Sequence, residues 1–255
     1  VFIGKFYIFD RTKIEYKDFP PYLVNALIAT EDERFYEHSG VDTRSLLRVF
    51  FKTFLLQDDA SGGGSTLTMQ LAKNLFGRGQ QYGKLSMPVH KIKEMIIARR
   101  IEKVYSKQEI ITLYLNTVPF SDNTYGIETA SYRFFSKPTK ELTLNEAATL
   151  VGTLKANNSY NPRTAPQRSE ERRNVVLSRM LDEKYISKEE YDAALKEPIV
   201  ASYHGAKFEF RADYVTEMVR QEMVRRFGEE NAYTSGYKVF TTVLSKDQAE
   251  AQKAV

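Results

Sequence analysis

The chain has 255 residues, is 42% hydrophobic and 27% charged, and balances 37 basic against 33 acidic side chains for a net +4. Such a composition belongs to a folded protein, not a disordered one. It contains no cysteine and three histidines, which excludes disulfides, thiol nucleophiles and cysteine-ligated metal, and leaves carboxylates, hydroxyls and amines for chemistry. No apolar run approaches the roughly 18 residues of a spanning helix.

Taken in chain order, Val1 to Phe9 alternates loosely and reads as a short strand. Pro20-Pro21 opens a helix whose Leu23, Val24, Leu27 and Ile28 recur at helical spacing. An apolar cluster follows, Leu46, Leu47, Val49, Phe50, Phe51, Phe54, Leu55 and Leu56, more than one helix face buries. It is expected to form a lipid-facing part, the plain alternative being a helix buried on all sides. Gly62-Gly63-Gly64 leads to Ser65 or Thr66 as the cap of a helix carrying Leu67, Leu71 and Leu75. Gly77 to Gly83 reads as a mobile stretch, and Lys91 to Tyr105 as a helix. Ser106 with Glu109, Thr143 with Glu146 and Ser187 with Glu190 are capping boxes, each opening a helix. Asp213 to Phe227 is a further amphipathic helix, after which Tyr237, Val239, Thr241 and Val243 alternate like a strand. Helices dominate to about residue 197, without βαβ alternation or internal repeat.

Charge is concentrated from Lys73 to Lys107, where nine basic and two acidic residues give a net +7. Such a field suits an anionic ligand, although a solvated helix face carries charge runs too. Within and around it stand three candidate constellations. Glu31 continues the apolar stripe of the Pro20 helix, where partial desolvation favours the neutral form of a carboxylate and prepares it for acid–base work. Its plain alternative is a rim glutamate paired with Arg34 or Arg48. The Gly64-Ser65-Thr66 turn presents free N–H groups to an anion, with Thr66, Gln70 and Lys73 on one face. It lacks the Gly-Lys of a nucleotide-binding loop. Lys91 and Glu94 share a helix face, where the carboxylate either holds the lysine or fixes a substrate hydroxyl, or forms an exposed ion pair. Ser235 to Lys238 and Ser121-Asp122-Asn123 match elements of penicillin-recognising enzymes, but in reverse order and without the third element, and are read as chance.

Together, Glu31-Asp32-Glu33-Arg34-Phe35-Tyr36-Glu37-His38-Ser39-Gly40 resembles the first signature of the peptidoglycan glycosyltransferase domains of class A penicillin-binding proteins, and Gly64 to Asn74 the second. Lys91 with Glu94 is similar to the third, and Tyr114-Leu115-Asn116 and Tyr125-Gly126-Ile127 follow in family order. The resemblance covers roughly residues 15 to 200. Where the family usually has arginine before the lysine of the third signature, this chain has His90, and the segment from Gly77 to Val89 differs from a typical family loop.

The resemblance implies a mainly α, lysozyme-like domain over residues 1–205 with a smaller apolar membrane-proximal subdomain. Residues 206–255 would be a linker helix and strand leading to a transpeptidase domain. It implies polymerisation of lipid II by inverting glycosyl transfer, with release of undecaprenyl pyrophosphate. Glu31 and Glu94 would be the catalytic carboxylates, and Asp32, Phe35, His38, Ser65, Thr66, Gln70, Lys73 and Lys91 the substrate-binding residues. Lys73 and Lys91 would grip the pyrophosphate from two sides. No cofactor is required, with a divalent cation (Mg²⁺ or Mn²⁺) bridging pyrophosphate and Asp32 as the variant to test. The implied partners are lipid II, the growing strand, membrane lipids and the chain's own transpeptidase domain, without nucleic acid. The implied location is the outer face of the cytoplasmic membrane, with an N-terminal anchor outside this chain. The competing readings are a lysozyme-like peptidoglycan hydrolase, which has no use for the +7 stretch, and a non-catalytic module binding anionic lipid.

Overall fold

The computed structural model describes residues 10–48, 64–79, 83–122, 124–202 and 213–253. Two compact units divide the chain: residues 11–204, and residues 205–255 with the first ten. The strand expected over Val1 to Phe9 and the apolar cluster from Val49 to Leu56 lie outside the described residues. Leu46 is partly buried against Val41, Met69 and Ala98, while Leu47 is exposed. Among the described residues no helix is long and apolar enough to cross a membrane.

In the larger unit α1 (Pro21–Glu31) starts on Pro21, whose missing N–H costs nothing in a first turn. Its Leu23, Val24, Ala26, Leu27, Ile28, Ala29 and Thr30 are all buried, so the stripe read from the sequence is one side of a central helix. α2 (Leu67–Phe76) is capped by Thr66, whose hydroxyl accepts the Met69 N–H at 3.2 Å. It stops at Gly77, which takes φ +61°. α3 (Ser86–Val104) begins five residues before the expected Lys91. α4 (Lys107–Thr117) follows α3 directly, and α5 (Ile127–Phe135) follows after a turn. α6 (Leu144–Thr153), α7 (Pro166–Asp182) and α8 (Lys188–Lys196) complete the unit. The capping boxes at Ser106, Thr143 and Ser187 all form, opening α4, α6 and α8.

α1 packs on α6 and α7, and α2 packs on α3 and α4. Leu27, Ile28, Leu150, Val151, Val176, Leu177 and Met180 lie in one continuous core with Leu71, Ile110, Ile111 and Tyr114. Each such side chain contributes roughly 1.5–3 kcal/mol by leaving water. The two halves are therefore one apolar body, mainly α as expected. Strands among the described residues are the two-residue pieces Asp10–Arg11 and Thr124–Tyr125.

The second unit holds α9 (Asp213–Phe227), α10 (Glu229–Thr234) and α11 (Ser245–Lys253). The expected strand at Tyr237, Val239, Thr241 and Val243 does not form. Residues 237–244 have no regular structure and are exposed, because alternation makes a strand only where a ladder partner is available.

One backbone position joins the α1–α2 connection to α3. Gly40 has φ +88°, and a Cβ there would stand 2.7 Å from the carbonyl carbon and oxygen of Ala98. Its own carbonyl accepts the Thr66 hydroxyl at 2.7 Å. Gly40→Ala combines left-handed strain with a clash against helix backbone, and is expected to destabilise by about 2–4 kcal/mol. Urea unfolding followed by circular dichroism measures this, and a loss below about 1 kcal/mol would contradict the close packing.

Candidate active site

Glu31 is the last residue of α1 and is half-buried. One carboxylate oxygen accepts the Gln70 side-chain N–H of α2 at 2.9 Å. The Tyr114 hydroxyl of α4 donates to the Gln70 carbonyl oxygen, also at 2.9 Å. A carboxylate only accepts, so the Gln70 amide must turn its NH₂ to Glu31 and its oxygen to Tyr114. Burial, and then the charge of Glu31, pushes the Tyr114 phenol well above its ordinary range, which keeps it a donor. From α7, Arg172 faces the same carboxylate. Burial lowers its guanidinium pKa, against the opposing pull of Glu31. Neither rim partner suggested for Glu31 is used: Arg34 binds Asp42, and Arg48 lies 3.7 Å from Glu33.

Four residues expected to touch substrate are packed around the segment that carries this carboxylate. Asp32 is buried and its carboxylate accepts the Leu67 N–H at 2.9 Å, at the first turn of α2. The same carboxylate accepts from His38 Nε2 at 2.9 Å, so that nitrogen carries the proton. Both side chains are less than a tenth exposed. Phe35 is fully buried, edge-on to His38, with the Lys107 ammonium 4.3 Å from its ring centre. Thr66 is 2% exposed, and its hydroxyl is used by Gly40 and Met69. In this structure Asp32 and Thr66 are buried and hydrogen-bonded within the protein, Phe35 is fully buried, and His38 gives its Nε2 to Asp32 while its buried Nδ1 has no hydrogen-bond partner among the described residues. Lys107 completes the clamp by donating to the His38 carbonyl at 2.7 Å while pairing with Glu102 of α3.

The basic stretch places Glu94 as a buried hinge between two cations. Its carboxylate pairs with Lys91 at 2.8 Å and with Arg78 at 3.3 Å. Lys91 also donates to the Ser65 hydroxyl just before α2. Glu94, expected as a second catalytic carboxylate, is engaged by both cations in this structure. Of its sequence readings, the one that holds the lysine is the one the geometry adopts. Arg78, Glu94 and His90 line a pocket of about 300 Å³ with Phe76, Ile96 and Ile97. Lys73 is exposed and lines a different pocket, of about 440 Å³, with Gln70 and Tyr114. Lys73 and Lys91 thus do not share one pocket.

A divalent cation bridging pyrophosphate and Asp32 would meet a buried carboxylate. The Asp32 oxygens are already engaged, and among the described residues no group of three His, Asp or Glu side chains is placed to hold a metal. The Ser121-Asp122 element is structural: Asp122 adopts φ +58° and receives the Arg163 fork at 3.1 Å, and Ser121 donates to the Asn157 carbonyl.

Residues 2–181 match the family model described as Transglycosylase. The chain belongs to the transglycosylase family. It is 59% identical over 245 residues to penicillin-binding protein 1A of Haemophilus influenzae, a match covering 96% of this chain and 28% of that protein. Penicillin-binding protein 1A of Escherichia coli K12 is 44% identical over 245 residues, with the same coverage of 96% and 28%. The crystal structure of the Haemophilus influenzae protein aligns with 99% of this chain and 27% of its own, at 48% identity and a TM-score of 0.54. The transglycosylase chain therefore spans little more than a quarter of the length of these relatives. The expected enzyme class, a peptidoglycan glycosyltransferase, is the one supported by the family and by the relatives' names.

The segment carrying Glu31 is tied down by Arg34, which grips Asp42 in a fork with contacts of 2.6 and 2.8 Å. Burial raises the Asp42 carboxyl, but hydrogen bonds from the Ser45 hydroxyl and amide and from Arg34 outweigh it and lower it to about 2. A carboxylate depressed in the folded state stabilises fully above its unfolded pKa, and loses that contribution as pH falls through the folded value. Wild type should therefore exceed Asp42→Asn by about 2 kcal/mol near neutral pH, with the gap closing between roughly pH 4 and 2. Denaturant midpoints of both proteins across that window measure it. A gap independent of pH would contradict the depressed carboxyl.

Proposed function

We propose that this transglycosylase domain polymerises lipid II, joining disaccharide units with inversion and releasing undecaprenyl pyrophosphate. The observation that carries the reading is the Glu31 carboxylate, held by Gln70 through one oxygen only. The other oxygen is left to take a proton. In this reading Glu31 removes the proton of the acceptor 4-hydroxyl as that oxygen attacks C1 of the growing chain. The new C1–O bond forms while the bond from C1 to the pyrophosphate oxygen breaks, and the electron pair leaves with the pyrophosphate. Charge then grows on the leaving group, where preformed positive side chains stabilise the transition state more than the ground state. Lys91 and Arg78, oriented by Glu94, suit that role, with Ser65 beside them. Gln70 keeps the base oriented and is itself held by the Tyr114 hydroxyl. In the whole protein the domain would act beside a transpeptidase domain, at the outer face of the cytoplasmic membrane and in contact with its lipids.

The test is incubation with labelled lipid II, scored for polymer and for released polyprenyl pyrophosphate. A hydrolase would yield reducing sugar ends instead. Glu31→Gln keeps the Gln70 contact and the fold but removes the base, and should lower turnover on the order of 10²–10⁴. A variant retaining more than about a tenth of wild-type activity would remove Glu31 from the mechanism.

A further inference from the structure

The end of α1 that carries Glu31 lacks both devices that ordinarily finish a helix. Its last turn holds no basic residue, and the capping residue Asp32 has φ −162°, so no left-handed glycine turns the chain back. The Asp32 N–H returns to the Ile28 carbonyl at 3.0 Å. The carbonyl of Thr30, one residue before Glu31, is one of the acceptors that a helix end leaves without a partner of its own. α7 supplies that partner. Arg179 Nη1 donates to the Thr30 carbonyl at 3.0 Å, from 149 positions farther along the chain. A helix C-terminus carries partial negative charge, and Glu31, as the last residue of α1, adds a carboxylate to it. A guanidinium on the Thr30 carbonyl offsets that repulsion where it arises. Arg172 stands two turns earlier on the same side of α7. Burial lowers its pKa, Glu31 pulls it up and Arg179 pushes it down, so both arginines and the carboxylate lie in one field.

The docking of α1 on α7 does not depend on Arg179. Leu27 and Ile28 share one apolar core with Val176, Leu177 and Met180, and Arg179 itself is exposed, so its removal empties no cavity. What Arg179 adds is a hold on the last turn alone. We propose that Arg179 is a positioning residue of the transfer reaction, fixing the end of α1 so that Glu31 is presented at a constant place and in a positive field. The proposal rests on the reading of Glu31 as the base. Arg179 bonds to backbone, and its effect reaches the reaction only through Glu31. A carboxylate held by Gln70 through one oxygen moves with the backbone beneath it. A displacement of about 1 Å at such a group costs on the order of 10²-fold in rate. The cations at Lys91 and Arg78 are held by Glu94 and not by α1, so the loss falls on turnover and not on affinity.

The experiment compares wild type, Arg179→Met, Arg179→Lys and the control Arg168→Met, which removes an exposed arginine near the start of the same helix. Rates on labelled lipid II are expressed per folded molecule, with the melting temperature measured for each protein. Arg179→Met should lower kcat roughly tenfold or more and leave KM within about twofold, while the control changes neither. Arg179→Lys keeps a charge and a donor and should stay within about threefold of wild type. A lowered melting temperature with unchanged kcat, or a lysine variant no better than the methionine one, overturns the proposal. In a Glu31→Gln background Arg179→Met should cost less than about twofold, because the group it acts through is gone. An undiminished loss there overturns action through Glu31. Amide hydrogen exchange over residues 24–34 needs no turnover and should quicken roughly tenfold in Arg179→Met. Unchanged exchange overturns the tether. If Glu31→Gln keeps its activity, the base reading fails by itself, and the exchange rates still decide whether Arg179 holds the end of α1.

Discussion

The site depends on one buried carboxylate that is not its reactive group. Asp32 follows the last residue of α1, and it accepts an N–H from the first turn of α2 and the imidazole N–H of His38. The N-terminus of a helix has unpaired N–H groups and a partial positive charge, so a carboxylate is the natural partner for it. By fastening α1 to α2 at that point, Asp32 sets the register between the two helices. Glu31 and Gln70 then meet at 2.9 Å. Removing Asp32 would leave a helix N-terminus and an imidazole unpaired in an apolar surrounding, which costs more than the contacts themselves are worth.

The charged groups around this joint are arranged by degree of burial. Those nearest the core are paired: Asp32 with His38, Asp42 with Arg34, Glu102 with Lys107, and Glu94 with Lys91 and Arg78. Each pair relieves a desolvation cost that a lone charge could not bear. Farther out, Lys73 and Lys155 are exposed and have no acid beside them in their pocket.

Much of the helix order was legible from local chemistry. The three capping boxes, the proline-initiated α1 and the Thr66 cap rest on interactions a few residues apart, and all appear where the residues implied them. Glu31, Gln70, Lys91 and Glu94 could likewise be picked out as chemically apt residues on helix faces. Burial was not legible. Phe35, His38 and Thr66 occupy a recognisable signature, yet a signature records which residues recur together and not which of them faces solvent. Asp32 belongs with them for the same reason. Tyr114, although part of a quoted motif, and Arg172 were not picked out as site residues, because Tyr114 comes to Gln70 from α4 and Arg172 into the field of Glu31 from α7, and nothing in the spacing of either helix marks that approach. The α3 start was missed because Ser86 to His90 carries no apolar period of its own, although a turn there precedes the stretch in which Lys91 meets Ser65, before α2, and Glu94 meets Arg78, beyond its end.

The α2 helix acts as a ruler for the reaction. Its rise of about 1.5 Å per residue separates the cap at Thr66 from Lys73 by roughly 10 Å, with Gln70 between them. Lys91 and Ser65 gather at the start of that length, Lys73 and Lys155 at its far part, and Glu31 is bonded to the residue in the middle. A base bonded to the middle residue of one rigid element, with separate positive groups toward its two ends, suits a reaction between two anionic partners. A single cluster of the same cations would draw both reactants to one place and hold them in competition. In the proposed reaction, positive groups set apart on either side of Gln70 would let each reactant be held by its own charge while the hydroxyl of one meets the anomeric carbon of the other at the carboxylate.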